Sequence, residues 1–154
     1  YFFANKGSAN LRHAIMYKAM DVFAFNDLEG KDWHRLIFDL YDSSKQRSIQ
    51  RQKAKDKQQI KDTKPSYSLE KFEGTYQHKM FGTIKVKHIA GKLSFSINDY
   101  TFFKLNHWHF NTFRSDKHPE WRYRAFLNFN LNAAGQVDHL SYEGPYIQLD
   151  FERE

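Results

Sequence analysis

The spacing of apolar residues changes at Pro65, and this change constrains the fold more than any other feature of the sequence. Before Pro65, apolar residues recur at intervals of three and four positions, which is typical of amphipathic helices. After it, apolar and polar residues alternate, as in Thr83–His88, which is typical of half-buried strands. We therefore predict two parts, a helical part over residues 1–64 and a β domain over residues 65–154.

Two helices are predicted in the first part. The first spans residues 9–25, where the apolar residues at helical spacing are Leu11, Ile15, Ala19 and Val22. The second begins after Asp32, a residue type that caps helices, and its apolar positions are Trp33, Leu36, Ile37, Leu40 and Tyr41. Over residues 42–64 apolar residues nearly vanish, so this segment either continues the helix as a solvated rod or forms a linker.

The second part reads as a series of short strands joined by turns. The 15 Phe and 9 Tyr of the chain favour pleated, half-buried surfaces. The predicted strands are Phe72–Tyr76, Thr83–His88, Leu93–Ile97, Thr101–Leu105, His107–Phe113, Trp121–Leu131, Val137–Tyr142 and Tyr146–Phe151. Eight hairpin-linked strands predict a small antiparallel up-and-down barrel. The fold class is thus mainly β with N-terminal helices (α+β).

The charge of the chain is concentrated in one segment. Of the formal net charge of +6, most comes from residues 42–64, where eight Lys and Arg outnumber three acids. That segment lacks the interleaved aromatic residues that stack on bases, so no nucleic-acid binding is predicted. No apolar run is long enough to span a membrane, and the chain is expected to be soluble. Without cysteine, it has no disulfides and no thiolate metal ligands.

Four segments of the β part carry a family resemblance. They are Leu69–Tyr76, Phe81–Val86, His107–Phe113 and Leu131–Val137. Together they resemble DUF3471, a C-terminal domain of β-lactamase-related and penicillin-binding-protein-like serine hydrolases, although Asn111 stands where Asp is common. The resemblance implies an eight-stranded, lipocalin-like barrel. Phe2–Lys6 looks like the last strand of a transpeptidase-type hydrolase domain, and the two helices with Asp32–Trp33 resemble its exit segment.

The resemblance implies a non-catalytic C-terminal accessory domain that shapes substrate access or mediates oligomerisation. Its expected partners are the missing N-terminal hydrolase domain and a second copy bound through the helices. The parent enzyme would be periplasmic or secreted, and no cofactor is expected. The alternative is a self-contained lipocalin-like barrel that binds a small apolar ligand. A filled barrel is favoured over a hollow one.

Two motifs invite a catalytic or metal-binding interpretation. Ser68-x-x-Lys71 matches the nucleophile motif of the parent enzymes, but the sequence predicts extended surroundings for it and contains no Tyr-x-Asn. We therefore predict no catalytic residues. His107 and His109 alternate on a strand, with His118 or His88 as a third ligand, but such short His patterns are weak indicators of a metal site.

The candidate ligand-binding residues lie in the barrel interior or at its rim. They are Trp108, His109, Phe110, Phe113 and Tyr123. We selected them because aromatic side chains with a few polar groups are typical of sites for small apolar ligands.

Overall fold

The computed structural model describes residues 9–117, 123–144 and 147–154. The chain divides into two compact units, residues 1–58 and residues 59–154. The predicted strand Phe2–Lys6 lies outside the described residues. The boundary between the units falls before the Lys64–Pro65 division chosen from the sequence, because residues 59–66 form hydrogen bonds with the second unit.

The first unit is a helical hairpin of α1 (Ala9–Phe25) and α2 (Trp33–Lys57). The bounds of α1 are those predicted, and Asp32 caps α2 by accepting a hydrogen bond from the backbone N–H of Arg35. The two helices meet along a seam where Tyr17 stacks on Trp33, with ring centroids 4.6 Å apart. The basic segment is helical as far as Lys57. No described helix has both the length and the apolar character needed to cross a membrane.

The second unit is a closed antiparallel barrel, and the predicted mainly β fold with two leading helices is confirmed. A 3₁₀ helix (Leu69–Phe72) precedes it. The described strands are β1 (Gly74–His78), β2 (Gly82–Ile89), β3 (Lys92–Ile97), β4 (Phe103–His109), β5 (Thr112–Ser115), β6 (Phe126–Leu131), β7 (Val137–Glu143) and β8 (Gln148–Arg153). Each strand pairs with the next, and β1 pairs with β8 to close the barrel.

One turn was predicted in the wrong place. The sequence suggested a break near Asn106, whereas β4 continues to His109 and the turn falls at Phe110–Asn111. Phe110 has a φ of 44°, a conformation that a bulky residue rarely adopts, so its sequence gave no turn signal. Parts of two other predicted strands, at Trp121–Arg122 and Tyr146, lie outside the described residues.

The barrel core contains several aromatic residues, and a group of them packs together at one end. Phe72, from the 3₁₀ helix, is fully buried and packs with ring centroids 5.5 Å from Phe113 and 5.0 Å from Phe129. We call the end of the barrel that holds Phe72 the plugged end. The turns at 90–91, 110–111 and 132–136 lie at the same end. The opposite end carries the turns at 79–81 and 98–102, and we call it the far end.

Candidate functional site

The aromatic signature His107–Phe113 forms the β4–β5 hairpin at the plugged end. Its Trp108 lies on the outer face of the barrel and is buried. The Arg114 guanidinium lies 4.1 Å from the centroid of the Trp108 ring, and Phe126 packs against the same ring edge-to-face at 5.3 Å. These contacts cover both the face and the edge of Trp108, so its ring is a packing element of the outer surface.

The five candidate ligand-binding residues do not converge on one opening. Phe113 points into the core, on the face opposite Trp108, and Phe110 is 53% exposed at the turn. Tyr123 lies near the far end, where its hydroxyl is hydrogen-bonded to that of Tyr142. Burial raises the pKa of Tyr142, and this hydrogen bond raises it further. Their joint role in ligand binding stays a prediction, but one common pocket is not formed.

The histidines of the signature contact the backbone. Nε2 of His107 lies 2.9 Å from the carbonyl oxygen of Phe110, and Nδ1 of His109 accepts a hydrogen bond from the backbone N–H of Ile60 at 3.4 Å. His88 pairs with Glu70 at 3.2 Å, and His118 lies outside the described residues. Among the described residues, no three His, Asp or Glu side chains form a cluster suited to a metal ion.

The signature holds the segment 59–66, which we call the strap, against the barrel. Gln59 donates from Nε2 to the carbonyl oxygen of Trp108 at 3.0 Å. The Thr63 hydroxyl accepts from the backbone N–H of Phe110 at 3.1 Å. Oδ1 of Asn111 accepts from the backbone N–H of Ser66 at 2.8 Å, a bond that Asp would form equally well. The polar residues of the signature thus have a structural role.

The motif Ser68-x-x-Lys71 begins a helix, contrary to the extended surroundings expected from the sequence. Ser68 is the N-cap of the 3₁₀ helix, which has only four residues. Its hydroxyl is hydrogen-bonded to the Glu70 carboxylate rather than to Lys71. This bond helps to lower the pKa of Glu70, after a larger contribution from the backbone N–H of Glu70 itself. The serine therefore has a carboxylate and not an amine as its hydrogen-bond partner.

A polar groove of about 580 Å³ lies beside the 3₁₀ helix, between Tyr67, Lys71, Gln136 and Arg153. Arg153 donates to the carbonyl oxygens of Lys71 at 3.2 Å, Val137 at 3.1 Å and Glu73. Its guanidinium also lies 5.9 Å from the Tyr76 ring, whose hydroxyl bonds the Phe72 carbonyl. Burial raises the pKa of Tyr76 to about 12. Arg153 thus holds the 3₁₀ helix against the barrel, a role that the sequence did not indicate.

A half-buried histidine, His78, lies on the inner face of the barrel at the far end. The ring of His78 lies 5.5 Å from that of Phe151 and 5.1 Å from that of Phe81. Its Nδ1 accepts hydrogen bonds from the backbone N–H groups of Met80 and Phe81. Sequence reasoning missed His78, although its place at the end of an alternating strand, in phase with the buried Tyr76, was a usable signal.

The helical unit exposes many of its large apolar side chains. Among its described residues only Ala14 and Ile37 are buried, whereas Phe23 is 88% exposed. An open groove of about 750 Å³ runs along α1, lined by apolar residues from Ile15 to Ala24 with Arg12 and His13 at one end. Contiguous apolar surface of this kind usually marks a site of interaction with a partner.

Comparison with known proteins gives one match. The profile of a family described as "Domain of unknown function (DUF3471)" matches residues 58–154, which are the barrel and its strap. No curated protein and no solved structure matches the chain.

Proposed function

This chain belongs to the DUF3471 family, and on that basis we propose that it is a non-catalytic accessory part of a serine β-lactamase-like hydrolase. The observation that carries the proposal is the apolar surface of the helical unit, with Phe23 at its most exposed point. In this proposal α1 docks on the hydrolase domain, and the barrel is a rigid body beside it that shapes substrate access. The parent enzyme is periplasmic or secreted.

The barrel residues support an accessory role in two ways. Two polar side chains of the signature, His109 and Asn111, accept hydrogen bonds from the backbone of the strap, so these acceptors are already engaged. The Ser68 hydroxyl bonds Glu70 and not Lys71, so the serine–lysine pair that the hydrolase motif requires is not formed at this position. Both observations favour a domain that contributes surface and rigidity rather than a reaction centre.

The first test is the coding sequence upstream of Tyr1. We expect a Ser-x-x-Lys motif and a Tyr-x-Asn motif within one hydrolase domain length. An upstream region that lacks both motifs, or a start codon directly before this chain, contradicts the proposal.

The second test measures docking by hydrogen exchange in the full-length protein and in this chain alone. We expect the amides of α1 near Met20 and Phe23 to exchange more slowly in the full-length protein, because docking excludes water from that face. Phe23→Asp should abolish the difference, whereas Lys53→Asp on the polar end of α2 should leave it unchanged. Equal exchange of α1 in both proteins would contradict docking through this helix.

A further inference from the structure

The polar groove beside the 3₁₀ helix has no role in the proposed accessory function. Its volume of about 580 Å³ is within the range of sites that hold small organic molecules. The 3₁₀ helix supplies Glu70 and Lys71 to one wall, and the turn between β6 and β7 supplies Gln136 to the other. Arg153 bridges the two walls, because it donates to the carbonyl oxygens of both Lys71 and Val137. The groove is therefore built from elements that belong to one unit.

Hydrogen bonds fix the walls of the groove before any ligand is present. Oδ1 of Asn132 accepts from the backbone N–H groups of Ala134 and Gln136, both at 3.0 Å, and so holds the β6–β7 turn. The hydroxyl of Tyr67, just before the 3₁₀ helix, donates to the carbonyl oxygen of Gly135 at 2.7 Å and ties the turn to that side of the groove. Walls that are already ordered lose little conformational entropy when a ligand binds.

The groove carries more positive than negative charge. Arg153 donates to three carbonyl oxygens, and no carboxylate in the described part of the chain pairs with it. The Lys71 ammonium has neither a hydrogen-bond partner nor an ion-pair partner among the described residues. The acid in the lining is Glu70, whose carboxylate also lies 3.2 Å from Nδ1 of His88. Two cations and one carboxylate leave one net positive charge, which favours a ligand with a single negative charge.

We propose that this groove binds a polar organic molecule that has one carboxylate beside uncharged amide groups. The Lys71 ammonium pairs with the carboxylate, and the charge of Arg153 adds to the attraction. The side-chain amide of Gln136, which offers both a donor and an acceptor, bonds the uncharged part of the ligand. A dianion such as phosphate fits less well, because Glu70 repels its second negative charge. The site does not depend on the accessory role.

The test uses N-acetylglycylglycine as the probe and its uncharged C-terminal amide as the matched control, titrated into the whole chain and followed by NMR. We expect the probe to shift the side-chain amide signals of Gln136 and the backbone amides of Lys71 and Gly135, with saturation at a Kd on the order of millimolar. The uncharged control should bind about fivefold more weakly, the effect of one exposed ion pair. Salt at about 1 M should remove most of this difference, because it screens exposed charges.

Three variants at exposed positions test the charges of the groove without disturbing the core. Lys71→Gln removes the ammonium, so binding of the acid probe should weaken about fivefold while binding of the amide control stays the same. Lys79→Gln, in the turn at the far end, changes the net charge of the chain equally and should alter neither affinity. Gln136→Glu places a second carboxylate in the groove, so it should abolish the shifts caused by the acid probe and retain those caused by the amide.

Three outcomes would overturn the site. The first is the absence of saturable shifts at the groove. The second is equal affinity for the acid and the amide, or equal weakening of the acid by Lys71→Gln and Lys79→Gln. The third is tighter binding of inorganic phosphate than of N-acetylglycylglycine at the same residues, which would make the groove a phosphate site instead of a carboxylate site.

Discussion

Gly82 and Gly91 have the same backbone conformation but different surroundings. Their φ angles are 81° and 76°. A Cβ at Gly82 would lie 2.1 Å from Oδ1 of Asn98, whereas a Cβ at Gly91 would meet nothing within 4 Å. The Gly of the Phe81–Val86 segment is thus required by the Asn98 side chain as well as by the backbone.

This difference gives a matched pair of substitutions. Gly91→Ala should lower the free energy of unfolding by about 1 kcal/mol, the cost of a left-handed alanine. Gly82→Ala should lower it by about 3 kcal/mol, because Asn98 must also move and lose its hydrogen bonds to the turn. Urea unfolding of both variants measures the two losses. Equal losses would mean that the contact with Asn98 contributes nothing.

The charge state of His139 provides a second prediction for a single residue. Nδ1 of His139 lies 2.8 Å from Oδ1 of Asp138, and this hydrogen bond raises the pKa of His139, with smaller contributions from Glu152 and Asp150. Because the folded pKa is raised, the stabilisation is complete below the ordinary value of 6.5 and is lost as pH rises through the raised pKa. Asp138→Asn should lower the pKa in an NMR titration. Asp99→Asn, in the turn between β3 and β4, should leave it unchanged.

The elements of this fold could be predicted from residue patterns wherever the pattern is local. The helical spacing of Leu11, Ile15 and Val22 predicted α1 with its correct bounds. The alternation of apolar and polar residues predicted most of the strands. The turn at Phe110 was missed because the two-residue hairpin loop requires a positive φ that Phe rarely adopts, and the bond from the Phe110 N–H to Thr63 that helps to hold it comes from the strap. Such contacts join residues far apart in the sequence, and a single sequence does not record them.

The candidate site was predicted less well for a related reason. Aromatic residues in the signature suggested a pocket, but strand register assigns Trp108 and Phe113 to opposite faces. Register depends on the position of a turn, and an error in that position moves side chains to the other face. His78 was overlooked because a lone histidine has no motif. Its role in holding the turn at 79–81 is seen only from the hydrogen bonds that its Nδ1 accepts.

The 3₁₀ helix Leu69–Phe72 is an element that should control the stability of the whole barrel. Phe72→Ala should lower the free energy of unfolding by about 3–5 kcal/mol, because it opens a cavity against Phe113 and Phe129. The exposed Phe110 is the matched control, and Phe110→Ala should change stability by less than about 0.5 kcal/mol. Denaturant unfolding followed by tyrosine and tryptophan fluorescence measures both. A loss below about 1 kcal/mol for Phe72→Ala would mean that the 3₁₀ helix is not part of the cooperative core.

At the scale of the whole molecule, the two units bury very different amounts of apolar surface. Among the described residues, fifteen buried hydrophobic residues form the barrel core, whereas only two are buried in the helical unit. The helical hairpin is therefore expected to be the less stable unit on its own, since a short helical pair gains most of its stability from tertiary packing. The exposed apolar face of α1 should therefore bind another apolar protein surface when one is available.

In a solution of this chain alone, that partner is a second copy. We predict concentration-dependent self-association through α1, because burying Met20, Phe23 and their neighbours removes contiguous apolar surface from water. Met20→Lys combined with Phe23→Lys should shift the chain to monomer in light scattering and sedimentation. Phe110→Ala, which removes an exposed aromatic residue from the barrel, should leave the association unchanged. A strict monomer at high concentration would contradict the prediction, and association that survives the lysine substitutions would place the interface on another surface.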